Sequence, residues 1–339
     1  MAKDPSVKIL TFYHKRDILF ENDIIQPLHL GRKVASEKSK DGQISSEELN
    51  WLKSSMEGDD TGDNISHLNR CFAEMTGIYW AWKNYDQLGT PDYIGFMHYR
   101  SLFFFGPYPA YKEENFLDKI GCPYLRRILK YADVDVICGF VDYLEYSAEE
   151  NHHNLVVYEK RERRDEHLEY TKQWIKENRP DIYPLFEKYL KGKINGPQKN
   201  MFIMRKDLFF EYCEFIFPCM FAVWEKFKDT IENPSNNRLI GILAEYVTAF
   251  WLTYLKERGC NTLSFPVVRP DFEMNHLSDL SKNVYYARHY IRTWLLQLKY
   301  GMLSKLRGGK KGKKYQLKFN EMKRIRAEIK TMLNSKENQ

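Results

Sequence analysis

The six cysteines, at positions 71, 122, 138, 213, 219 and 260, include no Cys-x-x-Cys pair, and most lie inside apolar stretches. That spacing excludes a zinc ribbon and a disulfide framework, and it reads as reduced core thiols. No uncharged apolar run reaches the length of a membrane span. The first residues, MAKDPSVKIL, lack the apolar segment of a secretory signal, so the expected location is the cytoplasm. Internal repeats are absent as well, which excludes solenoids and propellers. Low complexity is confined to RGGKKGKK (307–314), a basic link between two helical stretches.

What is present is a chain of 339 residues with 43% hydrophobic content, enough for a large core in one sizeable domain with an appendage. Tyrosine (23), phenylalanine (21) and tryptophan (7) are plentiful; most read as core, and tyrosine also suits surfaces that stack on rings. The net charge of +6 is unevenly spread. Residues 282–339 hold 16 Lys/Arg against 3 Asp/Glu, which leaves the remainder at −7. The basicity belongs to a tail.

SVKILTFYHK (6–15) reads as a first buried strand with Thr11, His14 and Lys15 at its carboxyl end, where open α/β sheets bind ligands. Residues 31–64 are polar and read as a long surface loop reaching Asp63 and Asn64. From Ser66, as N-cap, the spacing of Leu68, Phe72, Met75, Tyr79 and Trp82 predicts one helix ended by Gly89 and Pro91. A strand follows in DYIGFMHYRSLFFF and another in DVDVICGF. Residues 142–195 look like a helical insertion. NMFIMRKDLF starts as a strand and runs into a helix, RLIGILAEYVTAFWLTYLKERG makes a second helix closed by Gly259, and NTLSFPVV ends the sheet. Strand, helix and strand with short links imply a mostly parallel α/β sheet.

The apolar run YIGFMHYR closes on His98, Tyr99 and Arg100. Alternation along a strand would put His98 and Arg100 on one face, converging on a ligand oxygen. Two readings fit: a ligand site, or a structural ion pair at the sheet rim. Glu74, Asn200, Arg238 and Glu245 are polar groups in apolar contexts, and Arg238 and Glu245, seven apart, share a helix face. Each alone also fits a cap, a rim charge or an intrahelical pair.

Taken together, GDNISHLNRCFAEMTGIYWAWKN, YIGFMHYRSLF, NMFIMRKDLFFEYCEFIFP and RLIGILAE closely resemble the domain-of-unknown-function family 4422, found in capsular, exopolysaccharide and O-antigen glycosyltransferases. The resemblance spans roughly residues 6–265 and implies an A-type, Rossmann-like nucleotide-sugar transferase fold over 1–281, followed by the tail at 282–339. Some relatives look like galactofuranosyltransferases that use UDP-galactofuranose. Where many A-type transferases end a strand in Asp-x-Asp, this chain has His98-Tyr99-Arg100, so metal dependence is in doubt; Mn2+ or Mg2+, if used, would involve His98. The family often continues RLIGILAE with Arg where this chain has Tyr246.

The resemblance implies a nucleotide-sugar donor, and the residues expected to hold it are Thr11, His14, Lys15, Asp63, Asn64, Asn69, Lys83, His98, Tyr99, Asn200 and Arg238. Arg100 would neutralise the departing diphosphate, with His98 adding charge if protonated. Glu245, or Glu74 next, would act as the base that takes the acceptor proton in an inverting transfer. The acceptor class is a glycan or lipid-linked glycan. The tail, with VYYARHYIRTWLLQLKYGMLSKLRGGKKGKK, reads either as a basic amphipathic helix on an anionic membrane or as a helix docked on the core. A nucleic-acid-binding protein and a catalytically silent glycan-binding scaffold are the competing classes; the net negative core speaks against nucleic acid.

Overall fold

The computed structural model describes residues 4–37, 42–103, 105, 122–131, 133–141, 164–191, 199–231, 238–268 and, in the tail, 291, 294–295, 297–309, 311–313, 315–316, 319–320 and 323. The chain divides into two compact units. The larger comprises residues 6–101 and 135–267; the smaller comprises 1–5, 102–134 and 268–339.

The larger unit is built on a sheet. Strands β1 (Val7–Tyr13), β2 (Ile25–His29), β3 (Glu57–Gly58) and β4 (Tyr93–His98) run parallel in the order β3-β2-β1-β4. Strands β1 and β4 are short apolar runs rich in β-branched and aromatic residues, the composition of a strand buried on both faces, and β2 (IQPLH) is buried beside them except at Gln26. In the smaller unit, β5 (Leu102–Phe103) and a helix, Cys122–Tyr131, are described. Beyond β4 the sheet of the larger unit continues with β7 (Phe202–Arg205), β6 (Val136–Val141) and β8 (Thr262–Val268). Strand β7 is antiparallel to both β4 and β6, and β6 is parallel to β8. The sheet is thus parallel in the main, with one reversed strand at its centre.

Alternate side chains Leu10, Phe12, Ile94, Phe96, Phe202 and Met204 join one core with the long helices α7 (Lys206–Ile231) and α8 (Leu239–Glu257). Phe96 packs edge-on to Phe202 at 5.2 Å. Burial of each such side chain contributes about 1.5–3 kcal/mol. By length and composition α8 would also reach across a bilayer although Glu245 interrupts the apolar run; here it is a core helix, mostly buried. Of the insertion expected at 142–195, residues 164–191 are described as two helices, and His167 and Tyr170 of the first pack on Phe227 of α7. Residues 142–163 and 192–195 lie outside the described residues.

Two local expectations are corrected. Residues 31–64 are not one loop: they hold a helix, Ser46–Ser55, as well as β3. Ser45 caps that helix by accepting the Glu48 N–H at 3.1 Å, a Ser-x-x-Glu signal embedded in a polar stretch. The helix expected from Ser66 is broken into short pieces, Asn69–Phe72 and Met75–Lys83, flanked by 3-10 turns at Ser66–Leu68 and Tyr85–Leu88. Ser66 caps none of them, since its hydroxyl donates to Asp59 instead. The break falls at Ala73, whose φ of 48° leaves the helical region, and the Asn69 amide fixes it by donating to the Ala73 carbonyl (2.9 Å) and to Thr76 Oγ1 (3.0 Å).

Candidate active site

Three parallel strands, β1, β2 and β4, end side by side and open onto a cavity of about 180 Å3. Its walls come from the residues at or just past those strand ends: His14 and Lys15, His29 and Gly31, and His98. The broken helix adds Asn69, Ala73 and Glu74, and Arg238 enters from the start of α8. Carboxyl ends of parallel strands are where α/β sheets hold ligands, because loops there diverge and leave a crevice.

The break at Ala73 has a consequence for Glu74. Its carboxylate is buried, with 3% exposure, yet it borders the cavity. Oε1 accepts from Asn200 Nδ2 at 2.8 Å and Oε2 from Arg238 Nη2 at 3.4 Å. Asn200 Oδ1 in turn accepts from Thr248 Oγ1 at 2.7 Å, and that hydroxyl pairs with Tyr212 at 2.7 Å. Such a chain of satisfied groups holds a buried carboxylate in one rotamer. Gly241 makes the approach possible: a Cβ there would lie 2.8 Å from Ala73 Cβ, so the first turn of α8 touches the break only without a side chain.

Lys199 and Asn200 are both left-handed, at φ 70° and 50°. Each non-glycine residue in that region carries strain of about 1–3 kcal/mol, offset here by a clamp around the pair. His98 Nε2 donates to the Lys199 carbonyl at 2.8 Å, and Glu245 Oε2 accepts the Lys199 N–H at 2.9 Å. Lys199 Nζ donates to Ser101 Oγ at 2.9 Å. The turn therefore ties the end of β4 to α8.

A second hub lies behind β2. Asp59, fully buried, accepts from the Gly31 and Arg32 N–H groups at 2.9 and 3.1 Å and from Ser66 and Thr76 hydroxyls at 2.5 and 2.6 Å. Burial pushes its carboxyl up, and these four donors oppose that shift. They also shape the cavity wall at Gly31, whose φ is 61° and where a Cβ would fall 2.5 Å from the Asn69 side chain. Beside it, His29 Nδ1 accepts from Arg32 Nε at 3.1 Å; burial, then the Arg32 charge, hold His29 down to about 3, so it is neutral.

Electrostatics separate the remaining groups. Burial, followed by the charge of Glu74, pushes Glu245 up to about 7, while the Lys199 N–H and the Arg238 charge oppose the shift. Crowding by protein, then the cations Arg238 and Lys15, hold His14 down to about 4 although solvent reaches its ring. Burial also holds His98 below its ordinary value, against the pull of Glu74. His98 is thus neutral with its Nε2 proton committed to the Lys199 carbonyl, so it does not add the charge that a protonated imidazole would.

Of the residues singled out from sequence, His14, Lys15, Asn69, Glu74, His98 and Arg238 border the cavity. Asn200 and Glu245 stand directly behind them. Arg100 does not: β4 stops at His98, a tight His98–Ser101 bridge turns the chain, and the exposed guanidinium pairs with Asp17 at 3.3 Å. The expected convergence of His98 and Arg100 fails because strand alternation ends with the strand. Tyr99 is buried, stacked on Tyr13 at 5.3 Å. Thr11 is buried within β1, its hydroxyl without a partner among the described residues, and is not in the cavity wall. Asp63, Asn64 and Lys83 are also outside it: Asp63 meets Tyr79, Asn64 folds back on the Asp60 and Gly62 carbonyls, and Lys83 lies over the Trp82 ring at 3.7 Å. Asp59, Gly31, His29 and Lys199 were missed. Asp59 sits in a run of turn formers, and nothing local marks it as buried.

The donor set does not suit a divalent ion. At the Asp-x-Asp position Tyr99 is buried, Arg100 pairs with Asp17, and His98 donates its proton to a carbonyl. Among the described residues no group of three His, Cys, Asp or Glu side chains could hold a metal.

Comparison with known proteins fits this geometry. The domain of unknown function DUF4422 matches residues 8–257. Among solved structures, WbbM, a bifunctional glycosyltransferase in its apo form, is similar over 78% of this chain with a TM-score of 0.57 and 25% identity. This chain spans 45% of that protein's length. No curated protein matches. The mostly parallel sheet and the likeness to WbbM agree with the A-type, Rossmann-like glycosyltransferase fold expected from sequence.

Proposed function

Because this chain belongs to the DUF4422 family, we propose that it is a glycosyltransferase, moving a sugar from a nucleoside-diphosphate donor to a glycan or lipid-linked glycan acceptor. One observation carries the reading. A cavity at the carboxyl ends of three parallel strands brings the cations Lys15 and Arg238 together with a carboxylate, Glu74, and has Glu245 behind it. Leaving-group cleavage builds negative charge on the diphosphate, and Arg238 and Lys15 answer that charge. His14, neutral at pH 7, supplies a ring nitrogen at the mouth. The acceptor hydroxyl must lose a proton as it attacks, and a carboxylate poised at about 7 suits a general base. We assign that role to Glu245, in an inverting transfer, and to Glu74 the orientation of Arg238.

The finer reading is a UDP-linked donor, with galactofuranose the first sugar to test, and a cytoplasmic enzyme peripheral to the inner face of the cell membrane, serving surface-polysaccharide synthesis. The proposed chemistry uses no Mn2+ or Mg2+: Lys15 and Arg238 supply the positive charge at the cavity, and the Asp-x-Asp position holds no carboxylate. The test is a thermal-shift screen of nucleoside diphosphates and nucleotide sugars, with and without manganese, followed by donor turnover. Stabilisation by one nucleoside class in chelator, together with turnover lost in Glu245→Gln, is the expected result. A chain that binds glycans but no nucleotide under any condition would refute the reading.

A further inference from the structure

The tail carries two opposite faces. Helical conformation marks the described residues between 291 and 306. Ile291, Trp294, Leu295, Leu298, Met302 and Leu306 are 44–78% exposed. At 3.6 residues per turn these six fall within an arc of roughly 120°, an apolar stripe that also takes in Lys305 near one edge. The other side of the helix is occupied. Gln297 is buried, Tyr300 stacks on Tyr315 at 6.3 Å, and Gly301 lies against Phe319. The stripe is therefore not the face with which this helix packs on its own neighbour.

We propose that this stripe is a membrane-docking surface whose partner is an anionic lipid bilayer. A row of large apolar side chains in water is costly unless something covers it. Charge identifies the cover: residues 282–339 hold 16 Lys/Arg against 3 Asp/Glu. Lys299 and Lys305 lie on the same helical stretch, with Arg307, Lys311 and Lys313 just beyond it. An apolar stripe flanked by cations fits the boundary between acyl chains and anionic headgroups, with Trp294 at the depth that indoles favour. A protein partner would need a complementary apolar groove ringed by acid, and nothing in the charge pattern requires one. The inference stands on the tail alone and does not depend on the transferase reading.

The test uses the full-length chain in vesicle sedimentation, with phosphatidylcholine alone and with phosphatidylcholine containing one third phosphatidylglycerol. Binding is expected to the anionic vesicles, weakened by salt, with Trp294 quenched by brominated lipid and that quenching lost in Trp294→Phe. The double variant Leu298→Glu/Met302→Glu alters two exposed side chains, so folding is retained, and about tenfold or greater loss of binding is expected. Undiminished binding by that variant overturns the proposal. So does a vesicle-free dimer that the variant converts to monomer, which would make a second copy the cover. Salt-sensitive RNA binding lost in the variant, with no binding to vesicles, overturns it equally.

Discussion

Asn200 and Glu74, 126 residues apart in the chain, are joined by a buried hydrogen bond of 2.8 Å that fixes the carboxylate at the cavity edge. Two unusual backbone positions bring them together: Ala73 at φ 48° and Asn200 at φ 50°. Neither is glycine, so both conformations are imposed by surrounding contacts rather than tolerated for free. Strain of this kind is concentrated where β4, α8 and the broken helix meet.

Replacing Asn200 by alanine leaves Glu74 Oε1 and the Thr248 hydroxyl without that partner. A buried group so orphaned costs about 1–3 kcal/mol. Asn200→Ala is expected to lower the denaturant midpoint by a corresponding amount, and Asn200→Asp by more, because it sets a second carboxylate against Glu74. An unchanged midpoint in urea for both variants would show that the network holds no stability.

Asp59 does not itself line the cavity, yet it shapes the wall at Gly31 through the Gly31 and Arg32 N–H groups. An asparagine keeps the size but turns an NH2 toward one pair of donors. Asp59→Asn is therefore expected to cost about 1–3 kcal/mol and also to weaken nucleotide binding. Gly31→Ala tests the wall directly: at φ 61° and with its Cβ 2.5 Å from Asn69, it should weaken nucleotide binding and also lower stability. Calorimetric titration with nucleoside diphosphate separates the two effects, and an unaltered affinity in both variants contradicts the assignment.

How much of this was legible follows the range of the forces involved. Short apolar runs announce strands, so β4 and β6 are plain in YIGFMH and VICGF, and the seven-residue spacing correctly puts Arg238 and Glu245 on one side of α8, both acting on Glu74. Arg100 misled because alternation was carried past the point where the ladder stops. The break at Ala73 is invisible locally, since the apolar spacing of Phe72, Met75 and Tyr79 suits a continuous helix, and what interrupts it is the Asn69 side chain. Asp59 looks like one more turn residue until Gly31, Ser66 and Thr76 arrive from three segments to satisfy it.

The pH dependence of turnover should follow Glu245. As base it must be ionised, so activity rises as pH increases through about 7 and is lost below it. Stability runs the other way for the same group. Between the ordinary 4.5 and about 7 the folded chain keeps a proton that the unfolded chain has released, so this contribution to stability declines as pH rises across that window. Glu245→Gln should remove both slopes. A pH–rate profile with its acid limb unmoved in a Glu74→Gln or Glu245→Gln variant of residual activity would reject either carboxylate as the base.

Two arginines give the sharpest contrast. Arg238 borders the cavity and faces Glu74, whereas Arg100 is exposed, pairs with Asp17 and leans on the Tyr99 ring at 4.9 Å. An exposed pair of this kind contributes about 0–1 kcal/mol, and nothing in its surroundings directs the guanidinium to a diphosphate in the cavity. Arg238→Ala removes a charged donor aimed at the leaving group, for which a loss of about a hundredfold in kcat/KM is expected. Lysine at 238 would restore the charge but not the paired donors, so partial rescue is expected from Arg238→Lys. Arg100→Ala should stay within about threefold of the parent chain, consistent with a surface pair of that size. Steady-state donor turnover measures all three variants. A collapse of activity in Arg100→Ala with Arg238→Ala left intact would reverse the assignment and place the diphosphate on the far side of the His98–Ser101 turn.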